Sequence, residues 1–441
     1  MESKVFKQGV ELELSIINLS DPMLKDGSLH SAVYDRMRDI CDSVYWDDSK
    51  PEFPSKPYRS LGSLEDHIRE NISAFQSVAE DYGGSISFLG NFPLYRDFCS
   101  GHIHTSLELM DNETWFYMKQ VLYNVQPLLA YASANSPVIE GQYRANDVRL
   151  LFSNWAEFTE FDEKDPSHYL ALACGNGGIT LECRIPSSAP LAQIIGVAAM
   201  IRAILENEDA PVPMNNVKEN FYNVILYGAR ALMAVPVPIK ASYYGIKFRK
   251  AFIPVSSFFK DFLVTYDSYL REQLDDCSTA LKREVFKFYD MLANGTTMSD
   301  IILSIYFGSN DPKELAERIT RLTCELGYLK LELFNSINDP PKYRPMPRAI
   351  REVTLEELKE IVESLSFDEI EPSPIREIVD YVLTHGRLEI AEILSALRSE
   401  RIPPTYARDL RELGVIDENG SLTDRAAYFI QVAQGVIDEH R

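Results

Sequence analysis

The chain has 441 residues, 45% hydrophobic and 25% charged, a composition of folded domains, two or three at this length, and not of disorder or fibre. Its 44 basic against 66 acidic residues give a formal charge of −22, the opposite of the balance a general nucleic-acid or anionic-membrane binder carries. The start, MESKVFKQGVELEL, has no basic segment leading into an apolar run, and the longest apolar stretch is interrupted by Gln193 and Arg202, so a cytoplasmic location is expected. The six cysteines (Cys41, Cys99, Cys174, Cys183, Cys277 and Cys324) form no C-x-x-C pair and read as reduced, mostly buried thiols.

Taken in chain order, the first two hundred residues alternate short strands with helices. Strand-like alternation of apolar and polar residues runs over Val10–Ile17, Ser85–Leu89, His102–Leu109 and Ile179–Ile185. Helical periodicity covers Ser63–Tyr82 and Asn112–Ala134. Such strands suit an antiparallel sheet with one face solvated or facing a ligand. The GNGG at Gly175–Gly178 reads as a hairpin turn, and the absence of G-x-x-x-x-G-K-[ST] excludes a P-loop.

From about Gln193 the pattern is mainly helical: Leu191–Glu208, Val217–Met233, Val255–Asn294, Met298–Phe307 and Pro312–Leu329. A proline-rich turn is expected at Pro236–Pro238, and a second break at Asp339–Pro347. After it come three more helices, then Thr384–Ile416 as helix, turn and helix and Asp417–Asp424 as a short hairpin, a winged-helix pattern. Three regions follow: residues 1–235, 236–345 as a helical extension packed on the first, and 346–441.

The chemistry is concentrated in three strands. Successive side chains on a strand face opposite sides. In VELEL, Glu11 and Glu13 oppose Val10, Leu12 and Leu14; in HIHTSLE, His102, His104, Ser106 and Glu108 share a face; in ITLECRI, Thr180, Glu182 and Arg184 do. Singly, each is an ordinary solvated strand face, a structural histidine pair or a surface ion pair. In one sheet they give a single face of acids, imidazoles and a guanidinium. Crowded carboxylates are unfavourable without a counter-ion, and carboxylates with a histidine suit magnesium or manganese, which leave positions open for phosphate. That is the equipment of phosphoryl transfer.

These residues resemble the carboxylate-amine ligases of the glutamate–cysteine ligase family, within the glutamine synthetase superfamily. GVELE at Gly9–Glu13 looks like the family's first strand, and SGHIHTS at Ser100–Ser106 like its G-x-H-x-H strand. SANSPVIEGQYRANDVR at Ser133–Arg149 resembles its S-x-S-S-P…G…S-x-R segment, and TLECRIPSS at Thr180–Ser188 its T-x-E-x-R strand. KENFYNVILYGARAL at Lys218–Leu232 resembles a downstream family helix, with Leu226 where arginine is usual.

The resemblance implies an α+β fold, a cupped antiparallel sheet with flanking helices, binding ATP and two or three Mg2+ (or Mn2+) ions. It implies Glu11, Glu13, His102 and Glu182 as metal ligands, with Glu52 of KPEFPSKP as a further acid. It also implies Arg149 and Arg184 stabilising transferred phosphoryl, His104 near phosphate or substrate, and Asp26 of KDGSL near the incoming amine. Glu11, His102, Arg149 and Arg184 would thus also line the ATP site. The implied reaction is formation of an amide from a carboxylate, glutamate or a similar amino acid, and an amine through an acyl phosphate. Two rivals are a metal-dependent amide hydrolase, short of further histidine ligands, and a ligand-sensing regulator on an inactive ligase scaffold, with a C-terminal winged helix binding DNA or protein and Arg398, Arg401, Arg408 and Arg411 placed to contact phosphates. Interleaved Glu400, Asp409 and Glu412 weigh against the latter. Whether the chain forms a homo-oligomer is left open.

Overall fold

The computed structural model describes residues 6–323 except 42–43, 48–49, 109, 153–169, 176–177, 208–216 and 243–244. Further on it describes Tyr381, 387–399, 402–423, Ala426, Phe429, Ile430 and Ala433. The expected break at Asp339–Pro347 and nearly all of the three helices after it lie outside the described residues.

The chain divides into two compact units, residues 1–217 with 223–343, and residues 218–222 with 344–441. The strands are β1 Phe6–Glu13, β2 Ser15–Asn18, β3 Tyr45–Asp47, β4 Lys50–Pro54, β5 Gly84–Ser87, β6 Gly101–Leu107, β7 Val138–Ile139, β8 Gln142–Tyr143, β9 Leu170–Gly175, β10 Gly178–Cys183, β11 Leu232–Ser242 and β12 Gly245–Pro254. The helices are α1 Gly27–Arg38, α2 Leu61–Asp81, α3 Asn112–Ser133, α4 Val148–Phe152, α5 Leu191–Glu206, α6 Val217–Tyr227, α7 Val255–Gln273, α8 Thr279–Ala293, α9 Met298–Phe307, α10 Pro312–Thr323, α11 Arg387–Ser399 and α12 Pro404–Glu412.

The α+β class is as expected. A six-stranded antiparallel sheet has the order β3-β4-β1-β6-β10-β9. It brings the three charged strands side by side, β1 against β6 and β6 against β10. Gly175 and Gly178 are partners at the ends of β9 and β10, where the hairpin was expected. Val10, Leu12, Ile103, Leu181 and Cys183 form the apolar face and are fully buried. Helices α2 and α3 pack on the sheet, and each packs against α5. Helix α5 is apolar nearly all round and buried from Leu191 to Leu205, as a central core helix must be.

One polar group tethers α5 to the sheet. Arg202 is 3% exposed and donates from Nε to Gln8 Oε1 (2.6 Å), from Nη1 to Arg59 O (2.7 Å) and from Nη2 to Tyr58 O (3.1 Å). Gln8, fully buried in β1, donates in turn to Thr105 Oγ1 and Ala198 O. Burial lowers the Arg202 pKa to about 10. Arg202→Met would fill similar space but strip a donor from the buried Gln8 Oε1 and from two partly buried carbonyls, so a loss of about 2 kcal/mol is expected. Urea unfolding measures it, and an unchanged midpoint would contradict the tether.

Three expectations need correction. The helix begun at Val217 ends at Tyr227 and passes through a short 3-10 turn into β11, instead of reaching Met233. Pro236 and Pro238 lie inside β11, paired with Lys250 and Phe248 of β12, and not in a turn. In a two-stranded ribbon every second residue turns its amide outward, so prolines two apart fit on that edge without costing a ladder bond. The 255–294 segment is two helices, because Leu274–Ser278 turns the chain and Ser278 caps α8 by accepting from Leu281 N.

In the second unit, α11 and α12 are followed by a bridge between Ile416 and Leu422, with Gly420 at φ +83° in the turn. The two helices and the single bridge fall within the segment expected to read helix, turn, helix and hairpin, of which residues 384–386, 400–401 and 424 lie outside the described ones. Arg408 is paired along its own helix with Glu412 at 3.0 Å.

Candidate metal and phosphoryl-transfer site

Register places the charged side chains in one row. Glu11 faces His102 across β1 and β6, Glu13 faces Glu52 across β1 and β4, and Glu182 faces His104 across β10 and β6. The period of two then aims them all to the face opposite the apolar core.

At the centre, Glu11 Oε2 lies 3.2 Å from His104 Nε2 and 3.5 Å from His102 Nδ1. His102 Nδ1 is also 3.0 Å from Glu182 Oε1. Arg184 closes one side by gripping both oxygens of Glu182, each at 2.9 Å. His104 Nδ1 meets Thr180 Oγ1 at 3.1 Å, fixing the ring.

The environment sets the charges. Burial pushes Glu11 up, but hydrogen bonds from His102 and His104 outweigh it and hold the carboxyl well below its usual range. Glu182 feels the same burial and is brought down to about 2 by His102 and Arg184. His102, although burial disfavours its charge, is raised to about 9 by Glu11 and Glu182. Burial, then Glu11 and Glu13, push Glu52 up to about 8, against a smaller pull from His102.

Two sets of potential ligand atoms arise, Glu11–Glu52–His102 and Glu11–His104–Glu182, each with its atoms within 4.8 Å of one another. Oxygen-rich sets with one imidazole fit magnesium or manganese. The high pKa of Glu52 marks a carboxylate that needs a counter-cation, and this supports the fit.

The other expected residues sit differently. Glu13 is in neither set: its Oε2 accepts from Ser100 N at 2.7 Å and lies 3.5 Å from Lys50 Nζ. Arg149 is buried and donates from Nε to Ser187 Oγ (2.8 Å) and from Nη2 to the carbonyls of Arg184 (3.2 Å) and Ile185. It thereby holds the turn that follows Arg184. Asp147, buried with its pKa raised by that burial, accepts from Ser136 and Ser187 in the same network. Asp26 caps α1, accepting from Ser28 N and Leu29 N, both 3.1 Å.

Lys50 was not anticipated, and Thr180, expected on the charged face of its strand, was given no role there. The signal existed, since Lys50 alternates with Glu52 on one face of β4 as Thr180 does with Glu182 on β10. Of the other described histidines, His30 accepts from Ile16 N at Nε2 and faces Asp26 O at Nδ1. That exhausts both ring nitrogens.

No known family profile matches the sequence. No curated protein matches it either. Among solved structures, the chain is similar to one in the complex between the prokaryotic ubiquitin-like protein Pup and its ligase PafA. The identity is 11%, with 82% of this chain and 83% of that one covered and a TM-score of 0.47. It is similar to glutamate–cysteine ligase from Francisella tularensis crystallised with AMP (10% identity, 82% and 99% covered, TM-score 0.47). It is also similar to a protein described as a novel glutamine synthase homolog (12% identity, 73% and 71% covered, TM-score 0.38). At such identities and scores these are likenesses only. Among the described residues no helix is long and apolar enough to cross a membrane.

Proposed function

We propose that the carboxylate face binds Mg-ATP and joins a carboxylate to an amine, as a ligase similar to glutamate–cysteine ligase. The observation that carries this reading is the double ligand set sharing Glu11. Glu11, Glu52 and His102 would hold one cation and Glu11, His104 and Glu182 another. Bound there, divalent cations supply charge neutralisation for phosphate oxygens.

The chain's own residues do the rest. Arg184, anchored on Glu182, presents a fixed positive group beside the row, where charge develops on a transferring phosphoryl. Arg149, spending donors on the 184–187 backbone and on Ser187, keeps that group in place. Thr180 orients His104 so that its Nε2 faces Glu11. In the proposed reaction the γ-phosphoryl of ATP passes to a substrate carboxylate oxygen, giving an acyl phosphate and ADP. An amine then forms the amide bond as phosphate leaves, and its surplus proton goes to solvent. An amino acid such as glutamate is the favoured carboxylate from the motif resemblance.

The test is ADP release from Mg-ATP with pools of amino acids and amines. At least one pair should release ADP faster than either member alone. No ADP from any pair, together with no nucleotide binding, would sink the reading.

A further inference from the structure

Behind the Glu11 end of the face lies a second, closed group of charges. Lys50 Nζ is 3.5 Å from Glu13 Oε2 and 3.8 Å from Asp97 Oδ1, and it donates to the carbonyl of Phe98. Asp97, 2% exposed, also meets Lys25 Nζ at 2.7 Å and accepts from Ser15 Oγ at 2.8 Å. His30 is 3.8 Å from Asp97 but adds no charge, because its Nε2 already accepts the Ile16 N–H.

Charge counting separates the two ends. Glu13 and Asp97 carry two negative charges against the two positive charges of Lys25 and Lys50, so this end balances with nothing added. In the state that would hold a cation, with Glu52 ionised and His102 neutral, Glu11, Glu52 and Glu182 carry three negative charges against the one positive charge of Arg184, so that end is in deficit. A magnesium ligand oxygen must sit about 2.0–2.1 Å from the ion. An ion on Glu13 Oε2 would stand against a buried ammonium 3.5 Å from that same oxygen. Such like charges repel strongly out of water.

We infer that Lys50 is a resident cation that takes the place of a divalent ion at Glu13, so that the face binds its metal ions only through Glu11, Glu52, His102, His104 and Glu182. Lys50 is thus a positioning residue: it pins Glu13, and through the Ser100 amide bonded to Glu13 it fixes the entry to β6, which carries both histidines. The inference rests on the metal-binding reading proposed above.

Mn2+ titration of the full chain, followed by electron paramagnetic resonance, tests it. Glu13→Gln should bind as many equivalents as the unaltered protein, with affinity changed less than about threefold, whereas Glu11→Gln loses them. Lys50→Met should take up one equivalent more, which the Glu13→Gln/Lys50→Met double variant should not; a merely structural lysine would not change the count. If Lys50→Met does not fold, the Glu13→Gln count decides alone. Loss of an equivalent in Glu13→Gln would overturn this inference and leave the metal site standing. Absence of Mn2+ binding in the unaltered protein would overturn both.

Discussion

Glu11→Gln is expected to abolish ATP-dependent activity and weaken Mn2+ binding by roughly 100-fold or more, while the metal-free protein stays folded. Glu11 is the one residue common to both ligand sets, and its Oε2 approaches both imidazoles. Glutamine keeps the shape but removes the charge on which the proposed cation binding depends. Because the Glu11 side chain is 34% exposed, losing its histidine contacts costs about 1 kcal/mol or less. Glu182→Gln should be graded differently. It breaks only the His104 set and weakens the grip of Arg184 on residue 182, so one Mn2+ equivalent should survive through Glu11, Glu52 and His102. Titration with a fluorescence melt as a fold control separates these outcomes. Glu11→Gln with ordinary Mn2+ affinity would remove the shared-ligand geometry altogether.

The parts of this site legible in the sequence were those written in alternation. β1, β6 and β10 each place two polar groups two residues apart among apolar ones, and the sheet turns that spacing into a shared face. β4 was harder to see. It spans five residues, includes Pro51 and Pro54, and resembles a loop, yet its pairing with β1 is what brings Glu52 opposite Glu13. A short strand beside a stronger one is specified by its neighbour more than by its own propensities. Tertiary partners were not legible at all. Nothing near Arg149 in sequence announces that its guanidinium would be spent on Ser187 and two carbonyls, nor does KPEFP show that Lys50 would be buried against Glu13. Likewise Pro236 and Pro238 read as a break because a proline's own geometry is local, while their acceptability in β11 depends on which edge of the ribbon they occupy.

Divalent-cation binding should tighten as pH rises from 6.5 to 8, with proton release on binding. Two groups set the sign. Glu52 has a folded pKa of about 8, above its ordinary 4.5, so its contribution to stability is complete below 4.5 and is lost as pH rises through about 8. His102, raised from 6.5 to about 9, contributes fully below 6.5 and loses that contribution as pH rises through about 9. Both make the metal-free protein less stable on the alkaline side. Glu182, lowered to about 2, acts in the other direction: its contribution is present above 4.5 and is lost as pH falls through about 2. The metal-free protein should therefore melt highest near pH 4.5 as far as this cluster governs it. A cation needs Glu52 ionised and His102 neutral, so it binds by displacing their protons, and affinity rises roughly tenfold per pH unit for each proton displaced. The stabilising effect of Mg2+ or Mn2+ on the melting temperature should grow from pH 6.5 to 8, where the metal-free protein weakens. Calorimetric titration in two buffers of different ionisation enthalpy counts the protons directly. Glu52→Gln should lower that count by one and flatten the pH dependence. Metal affinity that is constant over this range, with no buffer-dependent heat, would mean that neither Glu52 nor His102 is a ligand.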